Sequence, residues 1–183
     1  MLKSDLKYVQ GAAYHEAAHI VIAAVQGLPL GKGGLRIDEQ GAGFAEYRCT
    51  RPTGSTALGA DAYKERTIIA TNAGHIAHGM FYPPVANGDA NASDDFELIQ
   101  KLLREMYPTS DIRRDAAQRE LLKRSKDLVE QHCESIKVLA EALWAKEWRP
   151  QLPVAKWREK RMEGAEVITL LKQRGISAVL DED

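Results

Sequence analysis

From Ala17 onward the first long apolar stretch of the chain is hydrophobic nearly all round. That is the pattern of a helix buried among other elements, not of one lying on a surface. Ser4 or Asp5 can cap its start, and it runs to about Gln26. Gly27 then occupies the left-handed closing position and Leu28-Pro29 stops the helix. In GGLRIDEQGAGFAEYRCT, the apolar positions Leu35, Ile37, Phe44 and Tyr47 flank a Gly41-Ala42-Gly43 turn, which predicts a short β-hairpin. Arg51 to Thr56 reads as a loop. From Ala60 to Phe81, Ile68, Ile69, Ala73, Ile76, Ala77 and Met80 keep helical spacing and predict a second helix.

The segment Tyr82 to Ser93 is full of helix breakers and reads as an exposed loop. A third helix starts at Ser93 or Asp94, with Glu97 at capping distance, and ends before Pro108. From Asp111 to about Trp148, Leu121, Leu122, Leu128, Val129, Cys133, Ile136, Leu139 and Leu143 form the stripe of one long amphipathic helix. Arg149 to Pro153 interrupts it, and Gly164 to Gln173 is a short closing helix before Gly175. The expectation is a mainly α fold with one small β-hairpin. One domain spans 1–183, with the candidate chemistry in 1–108 and C-terminal helices in 109–183.

Composition narrows the function classes. The 183 residues are 44% hydrophobic and 28% charged, with a formal net charge of −1. No global field recruits nucleic acid or an anionic membrane. The basic groups of the long helix, Arg113, Arg114, Lys123, Arg124 and Lys126, alternate with Asp115, Glu120, Asp127 and Glu130, as on a solvated helix face. The longest apolar run, Ala17 to Val25, is too short to span a bilayer, and MLKSDLKYVQ has no signal core. Cys49 and Cys133 are far apart and outside any CxxC, which suits a reducing, cytoplasmic setting. Gly27 to Gly33 misses the phosphate-loop spacing and its Ser/Thr, so no nucleotide site is expected.

The chemistry concentrates in YHEAAHIVIA. His15 and His19 stand four apart, so a helix turns both imidazoles to one face. Two neutral imidazoles at that spacing suit Zn²⁺, at Zn–N distances of ~2.0–2.1 Å. Glu16 is rotated off the pair, placed to take a proton from water rather than to bind the ion. Without a metal, two histidines and a glutamate on so apolar a helix would be hard to satisfy. A catalytic zinc needs a third protein ligand. His75, His78, Asp89, Asp94, Asp95 and Glu97 are the downstream candidates. The first turn of the third helix favours a carboxylate there, which points to Asp94 or Asp95 without choosing between them.

Three stretches carry a resemblance: AYHEAAHIVIA, ATNAGHIAHGMFY and NASDDFELIQ. In order and approximate separation they resemble the AxHEAGHA, LAGRAAEExxFG and GASNDLxxAT segments of the FtsH family of ATP-dependent zinc metalloproteases, the M41 peptidases. The long helix and MEGAEVITLL look like that family's C-terminal helices, so the likeness covers most of the chain. It implies a helical FtsH-peptidase-like domain and a zinc metalloendopeptidase, a hydrolase acting on polypeptide. His15, His19 and Asp95 would be its zinc ligands and Glu16 its catalytic base. The chain departs from the family at Ala18, where the family has glycine, and at Asp94, where it has asparagine. His75 and His78 stand where it has arginine and glutamate. His78 would then be an outer partner of the site or an extra ligand closing it.

The family joins this domain to membrane helices and an ATPase ring, and neither is found in this sequence. The expected substrate is therefore unfolded or exposed polypeptide, cut without ATP, with no membrane insertion. A homo-oligomer and a separate ATPase partner stay open. So does a non-catalytic zinc-binding or interaction module, the alternative to an enzyme. The hairpin is the expected place for an extended peptide to pair.

Overall fold

The chain folds around its first helix, α1 (Lys3–Val25). The computed structural model describes residues 3–50, 59–82, 92–150 and 157–181. From Val9 to Ala24 every residue of α1 except Gln10 is buried, as the unbroken apolar pattern predicts. Gly27, at φ +71°, ends the helix: its N–H bonds to Ala24 O and the Leu28 N–H to Ala23 O, both at 2.9 Å. These are the paired bonds of a left-handed helix terminus. The Arg66 guanidinium adds a donor to Gln26 O at 2.7 Å, a cation at the negative end of the helix.

After α1 come β1 (Leu30–Asp38), β2 (Gly43–Tyr47), α2 (Ala60–Phe81), α3 (Ala92–Met106) and α4 (Asp111–Gln131). The chain continues through α5 (Cys133–Trp144), β3 (Arg149–Pro150), β4 (Arg158–Met162) and α6 (Gly164–Gln173). The fold is mainly α with a small β part. α2 and α5 lie along α1, α4 packs on α2, and the sheet covers α1 through β1 and β2. Among the described residues no helix is long and apolar enough to cross a membrane.

The β part is larger than a hairpin. β1 pairs with β2 as expected, Leu35 opposite Ala45 and Ile37 opposite Gly43. It also pairs antiparallel with β4, giving a four-stranded sheet in the order β2-β1-β4-β3. β4 reads Arg-Glu-Lys-Arg-Met, with no alternation to announce a strand. Its Lys160 is nonetheless buried. The ammonium lies 4.9 Å from the ring centres of both Trp144 and Trp148 and donates to the Trp144 and Lys146 carbonyls at the end of α5. A charge is thus accommodated on the core face of a strand.

The single long helix expected over Asp111–Trp148 is two helices. His132, at φ −107° and ψ 16°, separates α4 from α5. Its carbonyl accepts from the amides of Ser135 and Ile136, the first bonds of α5. The break lets α4 bury Leu121, Ser125 and Val129 against α2 while α5 buries Ile136, Leu139 and Leu143 against α1. α3 begins at Ala92, so Asp94 and Asp95 lie inside its first turn rather than at its cap. The loops expected over Arg51–Thr56 and most of Tyr82–Ser93 fall outside the described residues.

Candidate metal centre

One helical turn of α1 separates His15 from His19, and their rings meet edge to face with centres 4.6 Å apart. The Nε2 atoms of both lie 3.1 Å from Asp95 Oδ2, carried in from the first turn of α3. All three ligand atoms fall within 4.8 Å of one another, and among the described residues no other His, Cys, Asp or Glu joins them. Donors of a tetrahedral ion at bond lengths of ~2.0–2.2 Å stand roughly 3.3 Å apart, so this trio has the spacing of a metal-binding group. Two imidazoles and a carboxylate make a donor set suited to zinc and neighbouring transition metals.

α2 sets the orientation of His19. The Nδ1–H donates to Ala70 O at 2.9 Å, which holds the ring with Nε2 toward Asp95. Burial drives His15 down to about 4, against the opposing pull of the Asp95 hydrogen bond, so its imidazole stays neutral. Burial would lower His19 too, but the hydrogen bond and charge of Asp95, with the charge of Glu16, outweigh it and lift His19 to about 9. Burial raises Asp95, yet its bonds to the two histidines prevail and hold it well below the usual carboxylate range. Without a metal, the cluster is a proton-binding site that a cation must displace.

Glu16 lies beside the trio and is 4% exposed. Burial pushes its carboxyl up to about 7, with His19 opposing and Asp95 reinforcing the shift. Its side chain rests against the bare Cα of Gly43: a Cβ built there would stand 2.5 Å from Glu16 Cγ and 2.6 Å from Cδ. Glu16, His15 and His19 line a cleft of about 260 Å³. Gly43, Phe44, Ala45 and Tyr47 of β2 also line it, with Cys49 beyond them and Asp94, Asp95 and Leu98 from α3. Among the described residues, no lysine or arginine lines it.

Tyr47 packs beside His19, ring centres 6.2 Å apart. Its hydroxyl is committed. Thr71 Oγ1 gives its proton to Thr67 O at 2.8 Å, so the 2.9 Å contact between Tyr47 and Thr71 has the phenol as donor. Burial lifts the phenol further above its ordinary value, and it stays protonated.

The sequence's candidates separate cleanly. His15, His19, Glu16 and Asp95 come together. Asp94 lines the cleft but is exposed and stands outside the ligand group. The ring of His78 is centred 6.4 Å from that of His15 and contributes no atom to the trio. His75 and Glu97 are exposed, and Asp89 lies outside the described residues. Sequence reasoning missed Ala70, which acts through a carbonyl any residue carries, and Thr71, an unremarked helical hydroxyl. It saw Gly43 and Tyr47 only as hairpin residues.

No protein-family model and no curated protein matches the sequence. The chemistry of the site therefore carries the functional reading.

Proposed function

We propose that the chain is a zinc-dependent peptidase that hydrolyses unfolded or exposed polypeptide, in keeping with its resemblance to the M41 peptidases. The observation that carries the reading is the convergence of His15 Nε2, His19 Nε2 and Asp95 Oδ2 beside a buried carboxyl, in a cleft walled by a strand edge. His15, His19 and Asp95 would hold the ion. When bound, zinc supplies Lewis acidity, polarising the scissile carbonyl and the attacking water.

The remaining work falls to this chain's own groups. Glu16 takes a proton from the attacking water as its oxygen bonds to the carbonyl carbon. It then delivers that proton to the amine nitrogen as the C–N bond breaks. A carboxylate held beside the ion site, in the wall of the same cleft, is placed for both transfers. The Tyr47 hydroxyl, given to Thr71, stays a wall of the cleft.

β2 offers the substrate its main-chain groups, having no strand on its far side among the described residues. The Asp38 N–H donates to Ala42 O at 2.8 Å. Antiparallel alternation then turns the N–H and C=O of Phe44 toward β1 and those of Gly43 and Ala45 toward the open edge. An extended peptide pairing there would pass over the metal trio. Ala45→Pro removes one outward N–H and is expected to raise KM for peptide cleavage, with the metal retained.

The test is hydrolysis of unstructured casein by zinc-loaded protein, by chelator-stripped protein and after zinc is restored. Cleavage that disappears and returns with the metal supports the reading. Cleavage that persists in fully stripped protein, or is absent from zinc-loaded protein, contradicts it.

A further inference from the structure

The helix that orients His19 also contributes a residue with no side chain. Gly74 lies four positions after Ala70, on the same face of α2. A Cβ built on Gly74 would stand 2.5 Å from His19 Cε1 and 2.7 Å from His15 Cδ2, and closer still to His19 Nε2. Real Cβ atoms essentially never approach within 3.0 Å of another heavy atom.

Neither ring is a flexible tip that could swing aside. Both are buried, His15 is bonded to Asp95, and His19 is held between Ala70 O and Asp95. Gly74 is not among the glycines with positive φ, so its backbone conformation is open to any residue. The closeness of the two rings is what excludes a side chain. Gly79, on the same helix, has nothing within 4 Å of its built Cβ.

We infer that Gly74 is a positioning residue for the metal centre, its bare Cα letting α2 lie against both histidines so that their Nε2 atoms meet Asp95. The inference rests on the metal reading of the trio. A methyl group at this position would displace the His19 ring from its bond to Ala70 O and carry Nε2 away from the shared point. Losing an orienting contact of this kind weakens metal binding by about 10–100-fold. Alanine inside a helix is otherwise favoured over glycine, so a loss at Gly74 marks the collision rather than the helix.

The experiment compares wild type, Gly74→Ala and Gly79→Ala as full chains, with Co²⁺ as the spectroscopic probe. Far-UV circular dichroism reports folding, a competing chelator reports affinity, and visible absorption reports coordination. Gly79→Ala is expected to match wild type. Folded Gly74→Ala is expected to bind Co²⁺ about 10–100-fold more weakly, with an altered visible spectrum. A folded Gly74→Ala with wild-type affinity and spectrum overturns the inference. If Gly74→Ala does not fold, the triple variant His15→Ala/His19→Ala/Gly74→Ala decides, set beside His15→Ala/His19→Ala, because the built Cβ meets both rings. Folding of the triple variant as well as its two-histidine parent supports the collision; a triple variant that fails where that parent folds overturns it. A folded wild type that takes up no metal overturns the metal reading itself, a result distinct from any of these.

Discussion

Replacing Glu16 with Gln removes a charge that the fold holds at a cost to stability. The side chain is 4% exposed, and burial lifts its carboxyl from an ordinary 4.5 to about 7. Between those values the folded chain keeps the proton while the unfolded chain has released it. The native state therefore binds more protons over that window, and stability falls as pH rises through it. The gap between 4.5 and 7, at ~1.36 kcal/mol per pH unit, amounts to about 3 kcal/mol in metal-free protein. The full contribution is present below about pH 4.5 and is lost once the pH passes about 7.

Gln keeps the shape and does not titrate. Any fixed cost of burying its amide is the same at every pH, and the other groups of the cluster titrate in both proteins. The assay is urea unfolding of chelator-treated wild type and Glu16→Gln, followed by circular dichroism at pH 5 and pH 8. Moving from pH 5 to pH 8 is expected to change the difference in favour of the variant by about 2–3 kcal/mol, since part of the full contribution is already lost at pH 5. Zinc should shrink that change, because a nearby cation favours the carboxylate. An identical difference at both pH values would refute the reasoning, since Glu16 would then titrate as an ordinary surface acid.

Gly43→Ala puts a methyl group against the Glu16 carboxyl and leaves the ligand trio untouched. Zinc content is expected to stay at wild-type level while kcat for casein peptides falls by at least about tenfold; the loss expected follows the ~10²–10⁴-fold worth of a placed general base. Metal affinity should also be proton-linked. His19 holds its proton up to about pH 9 in metal-free protein, so apparent zinc affinity should rise about tenfold per pH unit between pH 7 and 8.5. A flat profile in competitive chelator titrations would contradict the proton that Asp95 holds on His19.

Much of this arrangement was legible in the sequence because it is local. The i, i+4 histidines, the all-round apolar helix and the Gly27 stop depend on neighbours along the chain, and the structure has all three. Choosing Asp95 over Asp94 is a matter of which side of α3 faces α1, and residue pattern left both open; only the likeness to a known family pointed to Asp95. The break at His132 was invisible for a different reason. Val129 and Ile136 are seven residues apart, so the apolar stripe continues across the break, with no Gly or Pro to mark it. β4 was hidden by composition, since four of its five residues are charged. Its burial depends on two tryptophans and two carbonyls that only the tertiary fold assembles around Lys160. Ala70 and Gly74 act through a carbonyl and an absent side chain, which no residue pattern announces.

Metal content measured together with casein hydrolysis, for wild type and Glu16→Gln, is the decisive experiment. Both proteins are expected to hold one zinc per chain, with cleavage in wild type and a loss of about 10²–10⁴-fold in the variant. Full cleavage by zinc-loaded Glu16→Gln, or a folded wild type that binds no zinc, would contradict the zinc-peptidase reading.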